Sequence, residues 1–231
     1  MKKMVITLFA IVMILVVGCA PSAKYALTIA DIEPKLAYIG GASIGFSDNS
    51  EDGLVTYIQI GDPGYDEFFK SAAKLDGLVI LSKGMATTST NQLKKFAMSK
   101  AADAAMKDNI NGLVGDTPPE QWTTEQSFAV MKMAKARGKI NSDEVKYFAT
   151  TAGSIGIAVI SLGKGIKEAK DLIPKANELL QNVKSIKPLL IPAATNGING
   201  SLGNLNDVVK NTPKMLEEMK VLLDGFNKAL S

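Results

Sequence analysis

Histidine is absent from the chain, and cysteine, arginine and tryptophan occur once each, as Cys19, Arg137 and Trp122. Each scarcity removes a class of chemistry. Zinc and iron sites are built from His and Cys side chains, and the common nucleophile and base pairings need an imidazole or a thiolate. A lone arginine leaves almost none of the bidentate forks that grip phosphate and nucleic acid. A single thiol forbids an intrachain disulfide, so stability must come from packing.

The motif matches that survive fail on similar grounds. Gly41, Ser43 and Gly45 have the G-x-S-x-G spacing of a nucleophile elbow, which needs the missing histidine. Ser71 and Lys74 are spaced S-x-x-K, and Ser47-Asp48-Asn49 spells the second element of penicillin-binding enzymes. The order is reversed and the K-T-G element is absent. Asp48, Ser50, Asp52 and Gly53 fit the first half of a calcium loop, but Gln59 stands where the bidentate glutamate belongs, so a solvated loop is expected. Met131 with Met133, and Met215 with Met219, are read as core fillers rather than Cu(I) ligands. The pairs Glu217-Glu218 and Asp143-Glu144 are read as wet helix faces or caps. The expectation is no enzyme, no cofactor, no metal and no nucleic-acid partner.

What is present begins at the N-terminus. Lys2 and Lys3 precede an uncharged apolar run, residues 4–17, too short to span a bilayer comfortably. The run ends in Val16-Val17-Gly18-Cys19, which resembles the lipobox of bacterial lipoprotein precursors. The resemblance covers about the first twenty residues. It implies cleavage between Gly18 and Cys19, a diacylglyceryl thioether on Cys19, usually a third acyl chain on the new terminus, and attachment to the cell envelope. Ala20, in place of an aspartate, resembles the class sorted to the outer membrane. Loss of Lys2 and Lys3 lowers the formal charge of +3 to +1 on the mature chain, which therefore has no basic field of its own.

The expected organisation is a signal peptide at 1–18, a lipidated tether at 19–35, a β-hairpin at 36–62 and a helical bundle at 63–231. Residues 36–46 and 54–60 are rich in Ile, Val, Tyr and Thr around a polar run, and Gly61-Asp62-Pro63-Gly64 reads as the closing turn. From Tyr65 apolar residues recur at helical spacing. A first helix is expected to stop at the polar run 87–90, and a second, from Leu93 to Met106, to stop at 112–115. Thr117-Pro118-Pro119-Glu120 and Thr123 to Gln126 both have capping-box spacing. Arg137-Gly138-Lys139 reads as a stop.

The dominant signal lies at 142–186. With Val145 as a heptad a position, the a and d sites are Val145, Phe148, Ala152, Ile155, Val159, Leu162, Ile166, Ala169, Ile173, Ala176, Leu180 and Val183, all apolar. Pro174 predicts a kink or break near Leu172 and Ile173. Residues 147–163, from Tyr147 to Gly163, carry no charge, with Ile157 at f and Ile160 at b outside the stripe, implying cover on a third side. Ile155, Ile157, Val159, Ile160 and Leu162 are thus candidates for either core or membrane contact. Beyond it, 188–206 is uncharged and contains Pro192, Gly197, Gly200 and Gly203; residues 189–194 read as a short apolar helix or a surface-seeking segment. Thr212-Pro213 reads as the cap of a last amphipathic helix.

The expected fold class is mainly α, an antiparallel multi-helix bundle with long helices and a small N-terminal β-hairpin. Two functions fit. One is a lipid-anchored, non-catalytic envelope protein acting as a structural or interaction module, with self-association or a protein partner through its helices. The other is a membrane-active or lipid-handling protein, resembling α-helical pore formers, that uses 147–163 or 188–205.

Overall fold

The computed structural model describes residues 36–40 and 55–231. Cys19, Gly18, the lipobox, the Gly41–Gly45 motif and the Asp48–Asp52 loop lie outside these residues. Two short strands, β1 (Leu36–Gly40) and β2 (Val55–Gln59), precede five α-helices: α1 (Pro63–Ala101), α2 (Lys107–Val114), α3 (Thr124–Ala136), α4 (Ser142–Asn182) and α5 (Ile191–Leu230). The protein is mainly α, a bundle dominated by three long helices.

The strands occur where β-forming residues predict them, but they do not form a hairpin. They pair in parallel, with Leu36 opposite Val55 and Gly40 opposite Gln59. Strand composition does not encode direction; connection length does. Hairpin loops are short, whereas the stretch 41–54 is of crossover length.

The helix ends follow local chemistry. Pro63 opens α1 behind Asp62, whose Oδ1 accepts from the Gly64 and Tyr65 amides at 3.0 and 3.4 Å. Asp66 reaches back to accept from the Ile60 and Gly61 amides at 2.7 and 3.1 Å, over a Gly61 with φ +81°. Thr123 and Gln126 form the expected reciprocal capping box on α3. Its other end closes as a Schellman turn: Gly138, at φ +65°, donates to Lys135 and Lys139 to Ala134. Asn141 and Glu144 exchange hydrogen bonds of 3.0 and 2.8 Å at the start of α4. Thr117 caps nothing; Pro119–Gln121 is a single 3₁₀ turn, and the Thr117 carbonyl accepts the Trp122 indole N–H at 2.9 Å instead.

At four places an expected helix break does not occur. Residues 87–90 lie inside α1, because Ser and Thr cost only some tenths of a kcal/mol each in a helix and Met85 and Ser89 are buried. The glycines of 197–203 lie inside α5, where Gly197 is buried against Phe69. Pro174 and Pro213 sit within unbroken helices. Both are exposed, so the bond each removes is lost on a face where water can replace it.

The chain divides into two compact units, and the three long helices give a segment to each. One unit comprises Ala158–Glu217 and the described part of Tyr25–Lys83. In it Tyr57, Ile58 and Ile60 join Tyr65, Phe68, Phe69, Ala72 and Leu75 of α1, Ala169 and Ala176 of α4, and Ala194, Ile198, Leu205 and Val208 of α5 in one core. The Tyr65 hydroxyl donates to the Leu179 carbonyl at 3.0 Å, while Leu75 and Leu78 approach Gly165, so α1 and α4 run antiparallel here.

The other unit comprises Gly84–Ile157 and Glu218–Ser231. Phe96 of α1 meets Phe148 of α4 edge-on at 5.0 Å, Phe148 stacks on Phe226 of α5 at 5.5 Å, and Phe226 meets Phe128 of α3 at 5.0 Å. This row of rings ties four helices together. A second core, with Ala97, Met106, Ile110, Val114, Trp122, Val130 and Ala134, seats α2.

Candidate functional site

Of the twelve a and d positions, eleven in α4 and Val183 in the 3₁₀ turn that follows it, Phe148, Ala152, Ile155, Leu162, Ala169 and Ala176 are buried and the other six are half-buried; none is exposed. The heptad stripe is therefore a packing surface. The candidate residues within 147–163 separate accordingly. Ile155 and Leu162 are buried, and Val159 and Ile157 are half-buried. Ile160 is 56% exposed, and Tyr147 is 49% exposed. The cover expected on a third side thus reaches Ile157 in part and Ile160 hardly at all. The α4 helix with its 3₁₀ extension, Ser142–Ser185, is long and apolar enough to cross a membrane by length and composition, and 39% of its most apolar window is buried.

The remaining sequence candidates are dispersed. Ser71 and Lys74 lie on successive turns of α1. Met131 and Met219 are buried and Met133 packs against a core, as expected of fillers. Glu217 and Glu218 are exposed on α5. Among the described residues, no three His, Cys, Asp or Glu side chains cluster as a metal site would require. The hydroxyls of Ser82, Ser201 and Thr212 are buried without a protein partner.

Two surface features escape sequence reasoning, since each joins residues far apart in the chain. In the Gly84–Ile157 unit, Lys100 reaches Glu144 at 2.8 and 3.1 Å and lies 4.9 Å from the Phe96 ring centre. Partial burial pushes the Glu144 carboxyl up, but the Lys100 ammonium and the Asn141 amide outweigh it and hold the group below its ordinary value of 4.5. Asn141, Asp143, Glu144, Tyr147, Gln92 and Lys95 line a shallow groove beside this pair.

The second feature belongs to the other unit. A cleft of about 700 Å³ opens where the β2–α1 turn, the end of α4 and the turn into α5 meet. Ile60, Tyr65, Leu179, Ile186, Leu189 and Leu190 supply apolar walls, and Asp62, Asn182, Ser185 and Lys187 supply polar groups. Burial, helped by the charge of Asp62, pushes the Tyr65 phenol up, so it is a lasting hydrogen-bond donor to Leu179. Pro188–Leu190 forms a 3₁₀ turn at the rim, and Leu189 is 90% exposed. Asp62 and Asp66 are already committed to backbone amides, so the cleft offers shape and apolar surface more than reactive groups.

Comparison of the chain with models of protein families, with curated proteins and with solved structures gives no match.

Proposed function

We propose that the chain is a lipid-anchored, non-catalytic helical protein of the bacterial cell envelope, held through Cys19 and acting as a structural or interaction module. The observation that carries this reading is the fate of the α4 stripe. A charge-free stretch long enough to suggest a membrane segment spends Phe148, Ala152, Ile155 and Leu162 on helix packing, so attachment falls to the lipid. A mature chain of near-neutral charge has little electrostatic alternative, whereas two or three acyl chains give stable anchoring. The groups that survive the absence of histidine and of a second cysteine are caps, ion pairs and core hydroxyls, the furniture of a folded scaffold.

Cys19→Ser is the test. It should stop processing or release the protein from membranes, read by fractionation and by the mass of the N-terminal peptide. A serine variant that loses its signal peptide and stays firmly membrane-bound would overturn the reading.

A second reading, direct membrane activity of 147–163, draws on the exposure of Ile160 and Tyr147. It requires the mature chain without acylation to leak liposomes.

A further inference from the structure

Single exposed leucines are ordinary, and most need no explanation. Leu189 is set apart by degree and by setting. It is 90% exposed, against 59% for Val221, the next most exposed large apolar side chain among the described residues. Pro188 on one side and Pro192 two residues beyond Leu190 restrict the backbone, so the side chain is presented on a stiff turn. Lys184 and Lys187, both exposed, lie five and two residues before it.

Resting on the lipid-anchored reading, we infer that this turn is a membrane-contacting tip: Leu189 enters the headgroup boundary of an anionic bilayer while Lys184 and Lys187 lie against lipid phosphates. An apolar point preceded by two exposed amines matches an anionic lipid surface, with the leucine desolvated among acyl carbons and the long lysine stems reaching back to the phosphates. A protein partner fits less well. The tip has no Trp, Tyr or Arg to anchor a hot spot, and one turn buries far less than the roughly 800 Å² per side of a stable interface. The path of the chain agrees. β2 delivers the backbone to Ile60 and Gly61, which line the same cleft as Leu189 and Leu190, so the N-terminal side of the chain enters this unit at the end that carries the tip. From Cys19 to Leu36 an extended chain reaches at most about 60 Å, which leaves anchor and tip free to meet one bilayer.

The experiment uses the mature, acylated protein in vesicles, with Leu189→Cys labelled by a polarity-sensitive dye; acylated Cys19 does not compete for label. The label at 189 should shift to the blue and be quenched by lipids carrying a shallow quencher, while the same dye at Glu178→Cys, on the exposed outer face of α4, stays aqueous. Lys184→Gln and Lys187→Gln should each weaken the bilayer-bound state about fivefold on phosphatidylglycerol-containing vesicles and leave it unchanged on phosphatidylcholine alone. An acylated chain whose dye at 189 is as aqueous as at 178 overturns the tip and leaves the anchor standing. A shift present without vesicles and rising with protein concentration means that a second copy covers Leu189, and also overturns it. Mass spectrometry reports acylation independently. If Cys19 proves unmodified, the labelled chain is prepared with Cys19→Ser and vesicles are added from solution; a shift then upholds the tip without the anchor, and no shift overturns both.

Discussion

Three glycines of α5 face different surroundings, and the same methyl added to each should have opposite consequences. At Gly203 a Cβ would meet nothing within 4 Å, so Gly203→Ala should gain the helix propensity difference, about 1 kcal/mol. At Gly225 the added Cβ would lie 2.3, 2.6 and 2.6 Å from atoms of the Phe128 ring, more than an ångström inside normal contact. That ring is held edge-on to Phe226 at 5.0 Å, and Phe226 is stacked in turn on Phe148, so it has little room to retreat. Overpacking costs about 1–3 kcal/mol, and an approach this close belongs to the upper part of that range, about 2–3 kcal/mol, so after the propensity gain of about 1 kcal/mol Gly225→Ala is left destabilised by about 1–2 kcal/mol. Gly197→Ala meets Phe69 at 2.8 and 2.9 Å, a milder clash, in a ring that also contacts Phe68 and Tyr65. It should be neutral to destabilising by about 1 kcal/mol. Urea unfolding followed by far-ultraviolet circular dichroism gives the three values on one scale. If Gly225→Ala stabilises as much as Gly203→Ala, α3 does not pack on α5 through Phe128, and the ring row described above is wrong.

Other substitutions address the ion pair and the stripe. Glu144→Gln should cost about 1 kcal/mol at neutral pH. Because the folded carboxyl titrates below its ordinary value of 4.5, its contribution is complete above the unfolded value and fades as pH falls through the folded one. Parent and variant melting temperatures should therefore differ at neutral pH and converge as pH falls well below the ordinary carboxyl value of 4.5; a gap that persists in acid would mean that the carboxylate charge is not what stabilises. Ile155→Asp places a carboxylate in a side-chain position with no exposure and should cost about 4 kcal/mol or more, whereas Glu178→Ala on the exposed face should change stability by less than about 0.5 kcal/mol. Equal tolerance of both would mean that the stripe is not buried. Ile157→Lys should destabilise, since Ile157 is half-buried, while Ile160→Lys should leave the melt unchanged and the unacylated chain should not leak liposomes. Leakage by the parent that Ile160→Lys abolishes in a folded protein would favour the membrane-active reading.

The features legible in sequence are those decided by near neighbours. The Thr123 and Asn141 caps, the Gly138 stop and the a/d stripe of α4 depend on residues within one or two turns, and each lies where its spacing places it. Breaks are poorly legible for the complementary reason. Thr87 to Thr90, Gly197 and Pro213 are poor helix formers taken locally, yet the helices run through them because remote residues such as Phe69 make close contact worth more than propensity, and because the prolines face water. Strand direction is not written in β1 or β2 themselves; it lies in the length of the stretch 41–54, which exceeds a short hairpin loop and reaches crossover length. The Lys100–Glu144 pair and the cleft beside Leu189 join residues 44 and more than 100 positions apart, and only the fold brings them together.

Whether α4 enters a bilayer is a question of exchange, and burial sets its terms. Insertion of 147–163 would expose Ile160 and Tyr147 to lipid, a gain of about 1–2 kcal/mol for the apolar surface now wet. It would also pull Phe148, Ala152, Ile155 and Leu162 out of helix cores in which none is more than 5% exposed. Losing a buried large side chain from its site costs about 2–5 kcal/mol, and Phe148 alone contacts two other phenyl rings across helices. Lipid would return part of that loss, but it would return nothing for the separated rings. A tip such as Leu189 faces no such debt: it is already exposed, its partners are not disturbed by contact with lipid, and the helices behind it stay closed. Peripheral contact at the α4–α5 turn is therefore the lower-cost way for this fold to meet a membrane.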